Sequence, residues 1–182
     1  MFVKGDKAMS TQINPTQQPP MQAVPQEEHR WLQQLVGEWT SEAQMAITPN
    51  PAETCKGTES VRSLGGLWIL AEGKGEMPDG GSAIMLMTLG YDPAKNRYVG
   101  TWVGSMMSHM WLYEGELDSS RTVLTLNSEG PDMSPGAAPG KLAKYKDVIE
   151  IKAADHRILT SHCLGDDGKW QEFMRAHYRR TK

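Results

Sequence analysis

Between residues 82 and 128 apolar and polar positions alternate in four short runs, 82–91, 97–105, 109–117 and 122–128. Each is about one strand long, rich in aromatic and β-branched residues, and bounded by turn residues. Asp92-Pro93-Ala94-Lys95-Asn96 is a turn with a mechanism, because Pro sets φ and Asn tolerates positive φ. It predicts Tyr91 opposite Tyr98, Leu89 opposite Gly100 and Met87 opposite Trp102. A tight turn at Met106-Met107 predicts Gly104 opposite His109, Trp102 opposite Trp111, Gly100 opposite Tyr113 and Tyr98 opposite Gly115. A turn at Asp118-Ser119-Ser120-Arg121 sets Gly115 against Leu124 and Tyr113 against Leu126. One face of this meander is then Met85, Met87, Leu89, Trp102, His109, Trp111, Tyr113, Leu124 and Leu126, and it is predicted to look inward. The other carries Glu114, Glu116, Thr125 and Asn127 beside Ile84, Leu86 and Val103. Glycines across from bulky rings suit a curved, concave sheet.

The same rhythm extends in both directions. Residues 27–36 are acidic at the start, carry Trp31, Leu32, Leu35 and Val36 near one face, and stop at Gly37, which predicts a short amphipathic helix. Residues 38–47 alternate, with Trp39, Ala43, Met45 and Ile47 on one side. Residues 54–64 and 67–77 form a hairpin across Gly65-Gly66, and 77–81 turn into the meander. After a Pro/Gly-rich loop at 129–140 come three more strands, 141–153, 156–164 and 169–180. The expectation is an all-β domain over 27–182: about ten antiparallel strands in an up-and-down barrel, with one short N-terminal helix as a plug. Closure removes the exposed edges that an open sheet of this length would have, and ten strands leave room for a lumen. Residues 1–26, rich in Gln and Pro with little to bury, predict a disordered tail.

Composition narrows the function classes. The 182-residue chain carries a net charge of −3 and offers no basic stripe, which argues against a nucleic-acid partner. No run approaches the ~20 apolar residues of a membrane helix, and the first residues hold no apolar core of a secretory signal. The expected compartment is the cytoplasm. Met9-Ser10-Thr11 reads as an alternative start. Two cysteines, Cys55 and Cys163, define neither a disulfide framework nor a metal motif. His156 and His162 lie six residues apart without a third ligand, so no metal is expected.

The helix followed by Gly37-Glu38-Trp39 resembles the lipocalin and calycin superfamily. That resemblance implies that Trp39 closes one end of the barrel, with Arg175 or Arg179 of the last strand packed over it. The stretch from Trp31 to Tyr178, with Leu64-Gly65-Gly66-Leu67-Trp68, Leu89-Gly90-Tyr91-Asp92-Pro93 and Tyr98-Val99-Gly100-Thr101-Trp102, is similar to an uncharacterised bacterial domain family with a calycin-like barrel. It implies the fold and brings no activity. Nitrobindin-like haem barrels are more distant relatives by architecture. They imply a late proximal histidine, for which His162 and His177 are the candidates. No cofactor is expected, with haem as the alternative.

Two constellations suggest chemistry. His109 in an aromatic lumen is a polar handle for orienting a ligand, set against a rim histidine bonded to backbone. A two-residue Gly65-Gly66 turn places Glu59 opposite Glu72, and a tight Asp79-Gly80 turn then places Glu72 opposite Met87. Two inward carboxylates raise one pKa or gather a cation; Lys56, Arg62 and Lys74 nearby offer the plainer account of a solvated ion-pair network. The expected function is binding of a small apolar or amphipathic molecule. Trp102, Trp111, Tyr113, Met85 and Met87 line the site, and His109, Glu72 and Glu59 orient the ligand, with 131–139 at the mouth. The alternatives are an enzyme using Glu59, Glu72 and His109 for proton transfer, and a filled, ligand-free interaction or oligomerisation domain. A homodimer is left open.

Overall fold

The computed structural model describes residues 23–46, 54–77, 80–134 and 136–182. The tail up to residue 22, Ile47, the turn residues Pro78 and Asp79, and Pro135 in the long loop lie outside the described residues. A helix α1 (Glu27–Leu32) runs through one 3-10 turn (Gln33–Leu35) into ten strands: β1 (Gly37–Met45), β2 (Thr54–Leu64), β3 (Trp68–Glu76), β4 (Ser82–Asp92), β5 (Arg97–Gly104), β6 (Trp111–Leu117), β7 (Val123–Pro131), β8 (Leu142–Ala153), β9 (His156–Leu164) and β10 (Trp170–Arg180). Each strand pairs antiparallel with the next, and β1 pairs with β10 from Trp39↔Arg180 to Met45↔Met174. The barrel is closed and up-and-down, as the strand rhythm predicts.

The helix plugs one end. Trp31, Leu32 and Leu35 are buried against Trp39, Val61, Ile69, Leu89, Tyr98, Leu124, Leu126 and Ile149. Side chains of this size stabilise by about 1.5–3 kcal/mol each when fully buried, so a six-residue helix too short to persist alone is held by its docking. Polar ties fix its seat. Trp31 Nε1 donates to Arg121 O at 2.8 Å and Tyr98 Oη to Glu28 O at 3.3 Å. Trp39 Nε1 donates to Leu35 O at 2.9 Å.

Along β4, β5 and β6 the register follows the sequence reading from Tyr91↔Tyr98 to Met87↔Trp102 and from Trp102↔Trp111 to Tyr98↔Gly115. The Asp92–Asn96 turn works as its residues imply: Asn96 adopts φ 53°, and Asp92 Oδ1 accepts from Ala94 N at 2.9 Å. Two pairings differ without reversing a face. Asp118 Oδ1 accepts from Thr122 N and Val123 N, each at 2.9 Å, in a loop that sets Leu117↔Leu124 and Gly115↔Leu126. This is two residues from the expected register, and parity is preserved. Ser105 N bonds back to Ile84 O at 2.9 Å and prolongs the pairing with β4. The β5–β6 connection therefore spans 105–110, and the expected Gly104–His109 pair is not formed.

The β2–β3 hairpin corrects the carboxylate pair. Its loop holds three residues, closed by Leu67 N to Leu64 O at 3.2 Å, with Gly65 and Gly66 both at positive φ. One extra loop residue shifts the ladder by one, to Glu59↔Gly73 and Ser60↔Glu72, and reverses every side chain of β3 relative to the expectation. Glu72 pairs with Leu86, not Met87, and is exposed on the outer face.

Candidate functional site

Among the described residues the connections 105–110, 136–141 and 165–169 lie at the end opposite α1. At the helix end the links 65–67, 93–96, 118–122 and 154–155 hold two to five residues each. The lumen consequently has a floor and a mouth.

The floor is packed around an ion pair. Arg157 of β9 donates through Nη2 to Glu59 Oε2, and its guanidinium lies 4.6 Å from the Trp39 ring and 4.4 Å from the Tyr178 ring. The expected cationic neighbours Lys56, Arg62 and Lys74 are on outward positions instead. Burial pushes the Tyr178 hydroxyl above its usual range, and the Glu59 charge adds to this. A cavity of about 20 Å³ remains here, lined by Leu35, Glu59, Ile69, Met87, Arg157 and Tyr178 among others; it has room for about one water. The arginine over Trp39 from the last strand is Arg180, 4.1 Å from the ring, and not Arg175 or Arg179. Those two share the opposite parity: Arg179 pairs with the outward Thr40, and Arg175 forms a surface pair with Glu172 at 2.6 Å. Arg180 also donates to Val36 O, to Gln34 O at 2.6 Å and to Ala154 O at 2.9 Å. It thereby occupies the carbonyls left free where the helix ends.

Above the floor the packing changes. Met85, Met87, Trp102, Ser128, Asp147, Leu159, Phe173 and Met174 are only half-buried, although the strand pairings or ring contacts turn them inward. Surface left on an inward-facing side chain opens into the lumen. Small residues help to keep that space clear. Gly130 lets the Trp111 ring lie flat on the wall, Gly104 does the same for Trp102, and the Met85 methyl lies along Gly73 and Gly75.

At mid-height the sequence reading missed a polar group. Tyr113 Oη donates to Asp147 Oδ2 at 2.5 Å, and Ser161, paired with Asp147 across β8–β9, bonds the same carboxyl. Burial pushes the Asp147 carboxyl above its ordinary pKa against the opposing pull of these two hydrogen bonds. Burial, with the Asp147 charge, pushes the Tyr113 hydroxyl well up. The signal for Asp147 was strand parity: Tyr145, Asp147, Ile149 and Ile151 share one face, masked by Lys144, Lys146 and Glu150 on the other.

The remaining expected residues divide between lumen and rim. Met85, Met87 and Trp102 face the lumen and are incompletely buried. Trp111, 7% exposed, and Tyr113, 5% exposed, are wall, presenting little surface to it. Trp111 donates to Met107 Sδ at 3.2 Å and meets Tyr145 edge-on at 4.8 Å. His109 lies in the 105–110 loop, its ring 5.0 Å from Trp111 and Nε2 3.3 Å from Glu129 O, bonded to backbone at the mouth. His162 and His177 occupy outward positions. His162 lies 3.6 Å from Glu172, and His177 stacks on His156 with Nδ1 3.2 Å from Nε2. Neither is aimed at the lumen, so the residues proposed for a proximal haem ligand do not fit that role.

A helix-plugged, closed ten-stranded antiparallel barrel is the class that this geometry defines. Residues 24–180 match the family described as "Protein of unknown function (DUF1579)", and the chain belongs to that family. This agrees with the expected resemblance to an uncharacterised family with a barrel fold. Among curated proteins nothing matches the chain. Rv2717c from M. tuberculosis shares the fold at 12% identity and a TM-score of 0.56, over 87% of this chain and 100% of that one. Weaker likenesses are EF1p2_mFAP2b bound to DFHBI (12% identity, TM-score 0.46, 85% of this chain and 100% of that one) and a redesigned β-barrel, b11L5F_LGL (10%, 0.45, 84% and 96%).

Proposed function

We propose that the barrel binds a small apolar or amphipathic molecule in the upper half of its lumen, entering from the end opposite α1. Met85, Met87, Trp102 and Met174 supply apolar surface, and Asp147, held by Tyr113 and Ser161, supplies the polar anchor that orients the molecule. The carrying observation is the set of inward-facing side chains, Met85, Met87, Trp102 and Met174, that the packing leaves incompletely buried. An apolar pocket with a few convergent polar groups is the usual form of a small-molecule site. Methionines adapt to varied ligand shapes. His109, Glu59 and Glu72 lose the orienting role, because they stand at the rim, in the floor ion pair and on the outer face.

The test is native mass spectrometry of the protein purified from cells, compared with its denatured mass. A reproducible extra mass that disappears on denaturation supports the reading. A mass equal to the bare chain, together with no saturable uptake of a neutral solvatochromic dye, overturns it in favour of a filled interaction domain.

A further inference from the structure

Charges on the inward faces are unevenly compensated. At the floor Glu59 is matched by Arg157, and Arg180 is engaged with backbone carbonyls beneath Trp39. At mid-height Asp147 is, among the described residues, an inward carboxyl whose hydrogen-bond partners are the neutral donors Tyr113 and Ser161, with the His162 imidazole near enough to act on its charge. The nearest cationic side chain by register, Lys146, points outward, where it sits 4.5 Å from the Trp170 ring. His162 is outward too, and burial pushes its imidazole pKa down, which favours the neutral form.

A carboxylate carries about four acceptor positions, and two donors leave capacity for a third partner. Enclosed without a counter-charge, it is costly, and a cation that enters with N–H donors relieves that cost. The surroundings favour the same sign. Trp102 and Phe173 are inward-facing and incompletely buried, and aromatic faces attract cations while repelling anions. Met87, Leu159 and Met174 offer an apolar continuation for a hydrocarbon body.

We infer that the lumen selects monocationic amphiphiles, an amine or ammonium head set against Asp147 with its apolar body along the methionine-lined wall. This rests on the reading of the barrel as a binding protein and names the ligand class for that same site.

The experiment compares decylamine, decanol and decanoate, three head groups on one chain length. Each is titrated into the full chain at pH 7 by calorimetry below its aggregation limit, with Asp147→Asn in parallel. The expected order is amine, alcohol, carboxylate, with the amine favoured over the alcohol by about tenfold or more, the scale of one charge-assisted hydrogen bond. In Asp147→Asn that preference disappears, the amine falling to the level of the alcohol, and the near-ultraviolet circular dichroism of the variant reports that it is folded. If the variant does not fold, the wild-type ranking decides. Equal binding of amine and alcohol, or a preference that survives in Asp147→Asn, overturns the cation assignment and leaves the binding reading intact. Binding of none of the three overturns both.

Discussion

Replacing Glu59 with alanine removes the counter-charge of a guanidinium that the fold has taken out of water. The Arg157 side chain is 7% exposed and that of Glu59 15%. Nη2 bonds the carboxylate, Nε has no partner among the described residues, and the Trp39 and Tyr178 rings flank the group. Breaking a buried pair from one side costs about 3–5 kcal/mol, because the remaining charge stays desolvated. The two ring faces survive and return about 0.5–1 kcal/mol each, which places the expected loss toward the lower end of that range. For a domain of this size each kcal/mol moves Tm by about 2–4 °C, so a loss near 3 kcal/mol in Glu59→Ala lowers Tm by roughly 6–12 °C. The double variant Glu59→Ala/Arg157→Met removes both charges and recovers to within about 1 kcal/mol of a neutral packed floor. Urea titrations of the two variants measure the difference. A loss under about 1 kcal/mol for Glu59→Ala, the value of a solvated pair, would mean that water reaches Arg157 and that the barrel has no closed floor.

Three further outcomes follow from the same geometry. Arg180→Ala frees the Trp39 face and three carbonyls, at a cost of about 1.5–3 kcal/mol and with faster amide exchange in α1; Arg175→Ala and Arg179→Ala, on outward positions, stay within about 1 kcal/mol. Gly130→Val drives a side chain into the Trp111 ring and His109, costs about 1–3 kcal/mol, changes the near-ultraviolet circular dichroism, and weakens dye uptake as the ring swings into the lumen. For Asp147 the folded pKa is raised above the unfolded value. The folded state therefore holds the proton more tightly, and the carboxyl contributes less stability as pH climbs from about 4 toward the folded pKa. The stability of Asp147→Asn relative to wild type rises over that window in urea midpoints taken from pH 4 to 8; a difference independent of pH contradicts the assignment of a buried, titrating carboxyl.

Local chemistry made much of the barrel legible. Asp92-Pro93 and Asn96 define one turn geometry, and from it the inward parity of Met85, Met87, Leu89 and Trp102 follows directly. The two-residue error at Asp118 was harmless because parity repeats every two residues. The Gly65-Gly66 hairpin was not forgiving. Two glycines suit a two-residue turn, Leu67 became a third loop residue, and Glu72 moved from lumen to surface. Arg180 in place of Arg175 or Arg179 is the same one-position parity error on the last strand.

The floor ion pair had no local trace, since Glu59 and Arg157 lie 98 residues apart and meet only when β1, β2, β9 and β10 close the barrel. Asp147 was within reach of the period-two pattern, but three charged neighbours in sequence made it look like part of a solvated face. The half-open packing above Met87 depends on rings lying flat over Gly104 and Gly130. That is a tertiary property which neither composition nor strand periodicity expresses.

The central claim, a ligand site in the upper lumen, is tested most directly by methionine-methyl NMR. A ¹³C-methyl-methionine sample of the full chain, titrated with decanol or with the native ligand once its mass is known, reports lumen and surface separately. The account predicts saturable shifts at Met85, Met87 and Met174, with Met110 and Met133 on the outside unchanged. Shifts confined to Met110 and Met133, or none at any methyl while a ligand binds, would contradict it.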